Sequence, residues 1–172
     1  VFAIKGEKTR VFNRLRINPP LPAGYKYNRE NGIYVTDVWD DIRELTSGYF
    51  AGDEAIRISN GSRFHKQQTP ISLLLRIVLS STSTNDVVLD PFAGTGTTLV
   101  VAEQLVRNSV GIEKDKENIK CMEKRLASIR ESDNIQKFYN DYVYTENITQ
   151  IWEYEIKDVL KQNKFKQLSI FS

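Results

Sequence analysis

The chain has 172 residues and carries 24 Lys and Arg against 22 Asp and Glu, a net charge of +2. That excludes a uniformly basic coat, leaves room for a local basic face, and gives enough chain for one domain with a core of its own, or one domain plus an appendage. The single cysteine, Cys121, and the single histidine, His65, exclude an internal disulfide, a Cys-rich zinc site and a His-based metal site.

No run of about eighteen apolar residues reads as membrane-spanning, and no signal-peptide pattern opens the chain, so a cytoplasmic location is expected. The first residue is Val1, which suggests a processed chain or a fragment. Residues 1–60 read as an arm and loop region. Arg10, Arg14, Arg16, Lys26 and Arg29 crowd its start, as a solvated face or as contacts to phosphates. Asn18-Pro19-Pro20-Leu21-Pro22 cannot be helix interior or central strand. After Asp37-Val38-Trp39-Asp40-Asp41-Ile42 the chain is polar and Gly-dotted, a loop composition.

Residues 61–130 read as the α/β stretch. Thr69-Pro70 predicts a helix start, with proline at the first helical position and Thr69 as its cap. Ile71, Leu74, Leu75, Val78 and Leu79 then repeat at helical spacing. Asp86-Val87-Val88-Leu89-Asp90 predicts a buried parallel strand, Thr97 to Arg107 a helix, Ser109 to Glu113 a second strand, and residues 116–130 another helix. That is one βαβ unit with the helix after it. In residues 131–172 the first part is polar and aromatic without a clear period, Ile148, Ile151, Trp152, Ile156, Val159 and Leu160 mark a last helix, and a tail follows.

The chemistry centres on Asp90-Pro91-Phe92-Ala93-Gly94-Thr95-Gly96-Thr97-Thr98, entered from a strand and left by a helix. In open α/β sheets ligands bind beyond the carboxyl ends of strands, and Gly94 and Gly96 permit a sharp turn and close approach of a ligand. A dinucleotide fingerprint wants a third glycine where Leu99 stands, and a P-loop wants a lysine after Gly96. The turn therefore suits a ligand without a diphosphate. Glu113, after the second strand, is placed to accept from ribose hydroxyls, and Asp90 to accept from an ammonium group. A nucleoside bearing an amino acid meets these demands, which points to S-adenosyl-L-methionine. A nicotinamide-dependent oxidoreductase is the rival that Leu99 disfavours.

The nonapeptide resembles the cofactor motif of the amino-group DNA methyltransferases, Asp-Pro-Phe-x-Gly-x-Gly-Thr-Thr. Gln68-Thr69-Pro70 before the Leu-rich helix is similar to that family's Gln-Lys-Pro motif, with Thr69 where lysine is usual, and residues 37–42 resemble a segment carried upstream. The resemblance covers residues 36–130. It implies an α/β, Rossmann-like S-adenosylmethionine-dependent methyltransferase sheet, incomplete in this chain and with helices on both faces. It also implies methylation of an exocyclic amino group of adenine or cytosine in DNA, as part of restriction–modification. The implied cofactor-binding residues are Asp90, Pro91, Phe92, Ala93, Gly94, Gly96, Thr97, Thr98, Glu113, Lys114, Gln68 and Pro70, with no metal. A methyltransferase acting on RNA or protein, and a non-catalytic module assisting an active partner, remain as alternatives.

The family's catalytic tetrapeptide, Asp/Ser/Asn-Pro-Pro-aromatic, accepts the amine hydrogens while a ring stacks on the flipped base. The one catalytic candidate here is Asn18, Pro19 and Pro20, where Leu21 replaces the aromatic residue. The expectation is a chain that supplies the cofactor half, partnered by DNA and by an N-terminal half in the same or another chain. Gln167-Leu168-Ser169-Ile170-Phe171 resembles the short peptide by which bacterial proteins dock on the replication sliding clamp, through Gln167, Leu168 and Phe171. The same apolar tail can instead fold back on the core.

Overall fold

The computed structural model of the protein describes residues 6–18, 30–45 and 52–153. Pro19, Pro20, Lys26, Arg29, Ile156, Val159, Leu160 and the tail segment Gln167–Phe171 lie outside the described residues. The described elements, in chain order, are β1 (Arg16–Ile17), β2 (Ile33–Tyr34), α1 (Ile71–Ser81), β3 (Val87–Asp90), α2 (Thr97–Gln104), β4 (Asn108–Gly111), α3 (Lys116–Ala127), two 3-10 turns (Glu131–Asp133, Ile135–Phe138), α4 (Tyr139–Tyr142) and α5 (Ile148–Ile151).

β3 and β4 pair in parallel, in the register Val87↔Asn108 through Asp90↔Gly111. The helix α2 that connects them packs on both strands. This is the expected βαβ unit, and the fold is α/β, an incomplete Rossmann-like arrangement. The expectation of helices on both faces of the sheet, with β3 buried between them, needs correction. Among the described residues only one face is covered. Val88 packs into the core, while Val87 and Leu89, which point to the other face by strand alternation, are 66% and 61% exposed.

α1 forms where the apolar period predicts it. Ile71, Leu75, Val78 and Leu79 make its buried stripe. Its start differs from the expectation. Pro70 is the extended residue before the helix (φ −61°, ψ 140°), and neither it nor Thr69 caps with a side chain. The carboxylate of Glu54 fills that role from a distance in sequence, accepting from the Ile71 amide at 2.6 Å. An acid at a helix N-terminus satisfies an orphan donor and faces the positive end of the helix dipole. At the other end, the Asn13 side-chain amide donates to Leu79 O (2.7 Å) and Thr82 O (3.1 Å).

One apolar cluster draws on all three stretches distinguished by sequence. Leu15 and Ile17 come from the first, Ile71, Leu75, Val100, Val101 and Leu105 from the second, and Ile135, Tyr142, Ile148 and Trp152 from the third. The arm is docked rather than free over its described part. Leu15 and Ile17 alternate inward, the Arg16 amide donates to Thr145 Oγ1 (2.9 Å), and Ile17 and Arg16 pair antiparallel with Ile33 and Tyr34. Residues 131–147 lack a period because they are short 3-10 and single α turns, each burying one residue such as Asp133, Ile135 or Tyr142. The last helix among the described residues begins at Ile148, and Trp152 is its C-cap.

The upstream hexapeptide also acquires a physical role. Arg76, buried on α1, is held bidentately by Asp41 (2.9 and 2.5 Å) and bonds Tyr142 Oη at 3.2 Å. Its guanidinium carbon lies 5.1 Å from the centre of the Trp39 ring.

Candidate functional site

The turn after β3 is closed by its own first residue. Asp90 Oδ1 accepts from the Phe92 amide (3.0 Å), and Oδ2 accepts from the Thr98 hydroxyl (2.5 Å). The carboxylate thus straps the two ends of the turn together. Gly94 and Gly96 have φ of +52° and +79°, the left-handed region that L side chains adopt at a cost. The turn is anchored to the neighbouring strand's exit, where the Ile112 amide donates to Asp90 O and the Ala93 amide donates to Ile112 O, both at 2.9 Å.

The two glycines serve different ends. A Cβ on Gly94 would meet nothing nearer than 3.9 Å, so that side of the turn is open. A Cβ on Gly96 would fall 2.5 Å from Met122 Cγ, so Gly96 is required by the left-handed turn and by the packing of α3. Close approach of a ligand therefore falls to Gly94. The third packing glycine of a dinucleotide site is replaced across the helix–strand contact. A Cβ on Gly111 of β4 would meet Leu99 Cδ2 at 2.9 Å and Ala93 Cβ at 3.0 Å. Leu99 can therefore occupy that helical position because the space is made on the strand.

A cavity of about 70 Å³ lies over the open side of the turn. Its lining includes Gln68, Asp90, Phe92, Ala93, Gly94, Thr97 and Thr98 from the sequence reading, and His65, Gln67, Thr69, Leu74 and Thr95 in addition. Pro70, Pro91, Gly96, Glu113 and Lys114 are not in that lining. Sites that enclose a whole small ligand run about 300–1,000 Å³, so this cavity alone does not enclose one. Phe92 is 89% exposed at its rim, an unusual state for a large apolar ring in a tight turn.

Glu113 stands one residue past Ile112, whose carbonyl holds the turn. Its Oε1 accepts from the amides of Lys114 and Asp115, each at 2.7 Å. Those bonds fix the carboxylate and leave Oε2 without a partner among the described residues. Asp115 then caps α3, its Oδ1 accepting from the Glu117 amide at 2.8 Å. On the opposite wall the Gln68 amide is committed to the backbone, accepting from Ile56 N (2.9 Å) and donating to Glu54 O (2.9 Å). Gln68 therefore shapes the wall, and its polar atoms serve the fold.

Sequence reasoning missed His65. Its Cε1 lies 3.9 Å from where a Cβ on Gly94 would stand, and its buried Nδ1 has no hydrogen-bond partner among the described residues. A lone histidine in a loop carries no periodic signal, so only the fold brings it to the turn. Asn18, the described part of the catalytic candidate, lies elsewhere. It is exposed, donates its amide to Asp141 O at 2.9 Å, and lines a separate cavity with Asp41, Arg76 and Tyr142.

The residues present fit a nucleoside with an amino-acid arm on three observations. The turn is open at Gly94, a rigid carboxylate beside it has a spare oxygen, and an aromatic ring stands at the rim. The chain is 49% identical over 83 residues to the Type II methyltransferase M.HinfI of Haemophilus influenzae, 48% of this chain and 23% of that one. It is 41% identical over 96 residues to the Type II methyltransferase M2.LlaDCHI of Lactococcus lactis subsp. cremoris, 56% of this chain and 32% of that one. The aligned part thus spans about a quarter to a third of these relatives' own length. Among solved structures, M1.HpyAVI aligns at 42% identity over 36% of this chain and 32% of that one, with a TM-score of 0.34. A DNA modification methylase from Thermus thermophilus, solved in complex with S-adenosyl-L-methionine, aligns at 41% identity over 34% of this chain and 24% of that one, with a TM-score of 0.33. A family model described as DNA methylase, of the N6/N4 methyltransferases, matches residues 1–124, well over half of the chain, and the chain belongs to that family.

Proposed function

We propose that residues 61–130 build the cofactor wall of an amino-group DNA methyltransferase and that the cofactor is S-adenosyl-L-methionine. The observation that carries this reading is the glycine turn itself. It is strapped by the Asp90 carboxylate, open at Gly94, and bonded to the strand exit from which Glu113 follows. Asp90, Phe92, Ala93, Gly94, Thr97 and Thr98 form the seat and Gln68 the facing wall, while Pro91 and Gly96 shape the turn and Pro70 the chain behind that wall without lining the cavity. Glu113 takes the ribose hydroxyls through its spare oxygen, with Lys114 beside it. The cofactor, when bound, supplies an electrophilic methyl group on a sulfonium. Phe92 offers that cation an aromatic face, and the Asp90 charge in the cavity lining adds to the favourable field.

The acceptor is the exocyclic amine of adenine or cytosine in DNA, the substrate class of the family. The groups that accept the amine hydrogens and stack the flipped base belong to an acceptor half beyond residues 1–172, in the same or another chain. Two observations favour this. Leu21 cannot stack a base, and among the described residues nothing covers the face of β3 carrying Val87 and Leu89, with Phe92 exposed in the turn that follows the strand. Titration of the chain with S-adenosyl-L-methionine, against Glu113→Ala, tests the reading. Loss of a charge-assisted bond to each of two hydroxyls is expected to weaken binding about tenfold to a hundredfold. Equal affinity of the two proteins would remove Glu113 from the site.

A further inference from the structure

Thr95 is the middle residue of the turn, and its carbonyl points inward, away from the open side. It accepts from Arg125 Nη1 of α3 at 2.7 Å, and the same nitrogen lies 3.2 Å from Thr97 Oγ1. The other edge of the guanidinium is held bidentately by Asp133, Nε and Nη2 each at 3.0 Å. Asp133 accepts in turn from Arg130 Nε (2.7 Å) and Nη2 (2.6 Å). Arg130 Nη2 also donates to Glu54 O at 2.8 Å, the carbonyl that takes the Gln68 amide. A continuous chain of charge-assisted bonds therefore runs from the glycine turn to the residue that fixes the opposite wall.

Arg125 is 3% exposed and Asp133 fully buried. Such an ion pair is a poor way to gain stability, because well-packed apolar residues do as well or better. Its value lies in direction. The Thr95–Gly96 peptide is held at its N–H end by the Ala93 carbonyl (2.7 Å) and at its carbonyl end by Arg125, and a guanidinium fixes a carbonyl where an apolar side chain cannot.

We propose that Arg125 is a positioning residue for the cofactor turn: through the Thr95 carbonyl it sets the Thr95–Gly96 peptide plane, and through Asp133 and Arg130 it ties the turn to the wall carrying Gln68. This rests on the reading that the turn seats S-adenosyl-L-methionine. The test compares the full chain with Arg125→Met, Arg125→Lys and Arg107→Met. Arg107 is an equally buried arginine, 2% exposed, whose bonds go to Thr82 and Leu105.

S-adenosyl-L-methionine affinity is read by titration, and the Gly96 amide resonance by NMR without ligand. Arg125→Met is expected to lose about tenfold or more in affinity and to displace the Gly96 resonance. Arg125→Lys, which keeps the charge but cannot reach both Asp133 and Thr95, falls between. Arg107→Met loses thermal stability yet binds within about twofold of the wild type. Should Arg125→Met fail to fold, Arg125→Lys decides by the same criterion. Wild-type affinity in the Arg125 variants, or an equal loss in Arg107→Met, overturns the proposal. Absence of binding by the wild type would instead overturn the cofactor reading, while the Gly96 resonance still reports the clamp.

Discussion

Gly96 is under two constraints that a substitution cannot satisfy together. Its φ of +79° disfavours any side chain, and the first carbon of one would fall 2.5 Å from Met122 Cγ and 3.0 Å from Met122 Cβ. Those atoms sit near the α3 backbone and cannot swing away as a flexible tip would. Gly96→Ala is expected to destabilise the chain by about 2–4 kcal/mol, read by denaturant unfolding. Gly94→Ala meets only the conformational cost. The glycine pair is legible in the sequence as a turn. That Gly94 faces the open side while Gly96 and Gly111 are packing positions is not, because the neighbours that decide it, Met122 and Leu99, lie on other elements. His65 and Arg125 are hidden in the sequence for the same reason.

At the scale of elements, β3, α2, β4 and α3 follow from local signals: an apolar run, a glycine turn, and a 3.6-residue period. α3 has the clearest start. Asp115 accepts from the amides of Glu117 and Asn118, Glu117 sits in the first turn, and Lys124 and Arg125 occupy the last. Asp115→Ala should cost about 1 kcal/mol, measured as a shift in the unfolding midpoint. The bond from the Asp115 backbone amide to Glu113 does not need the Asp115 side chain and should survive the substitution. The start of α1 is not legible in the sequence because its cap, Glu54, is remote along the chain. The burial of β3 is not legible either, because an apolar run reports what a strand is suited to, and the described residues cover only its Val88 face.

Across the whole molecule, buried ion pairs tie elements together: Arg76 to Asp41, 35 residues apart, and Arg125 and Arg130 to Asp133, 8 and 3 residues apart. Burial pushes the Asp133 carboxyl upward, and the hydrogen bonds from Arg130 and Arg125 more than offset it, holding the group below its ordinary value of 3.8. The bond from Arg76 lowers Asp41 in the same way. A depressed carboxylate contributes stability that is complete above its unfolded pKa and disappears as pH falls through the lower folded one. Glu54 runs the other way. Burial raises it, so its charge costs stability that returns on protonation. Thermal midpoints followed from pH 7 downward should therefore fall below about pH 4, and Asp133→Asn should flatten that acid limb while lowering stability throughout. A midpoint independent of pH in that window would contradict the ion-pair account.

The central claim is that the turn at residues 90–98 seats S-adenosyl-L-methionine. The most direct measurement is a crystal structure of the chain grown with that compound. The account predicts density against Gly94, with the ribose hydroxyls on Glu113 and the Phe92 ring against the bound molecule. Density bound elsewhere, or a turn closed over Gly94 with Glu113 turned to solvent, would contradict it.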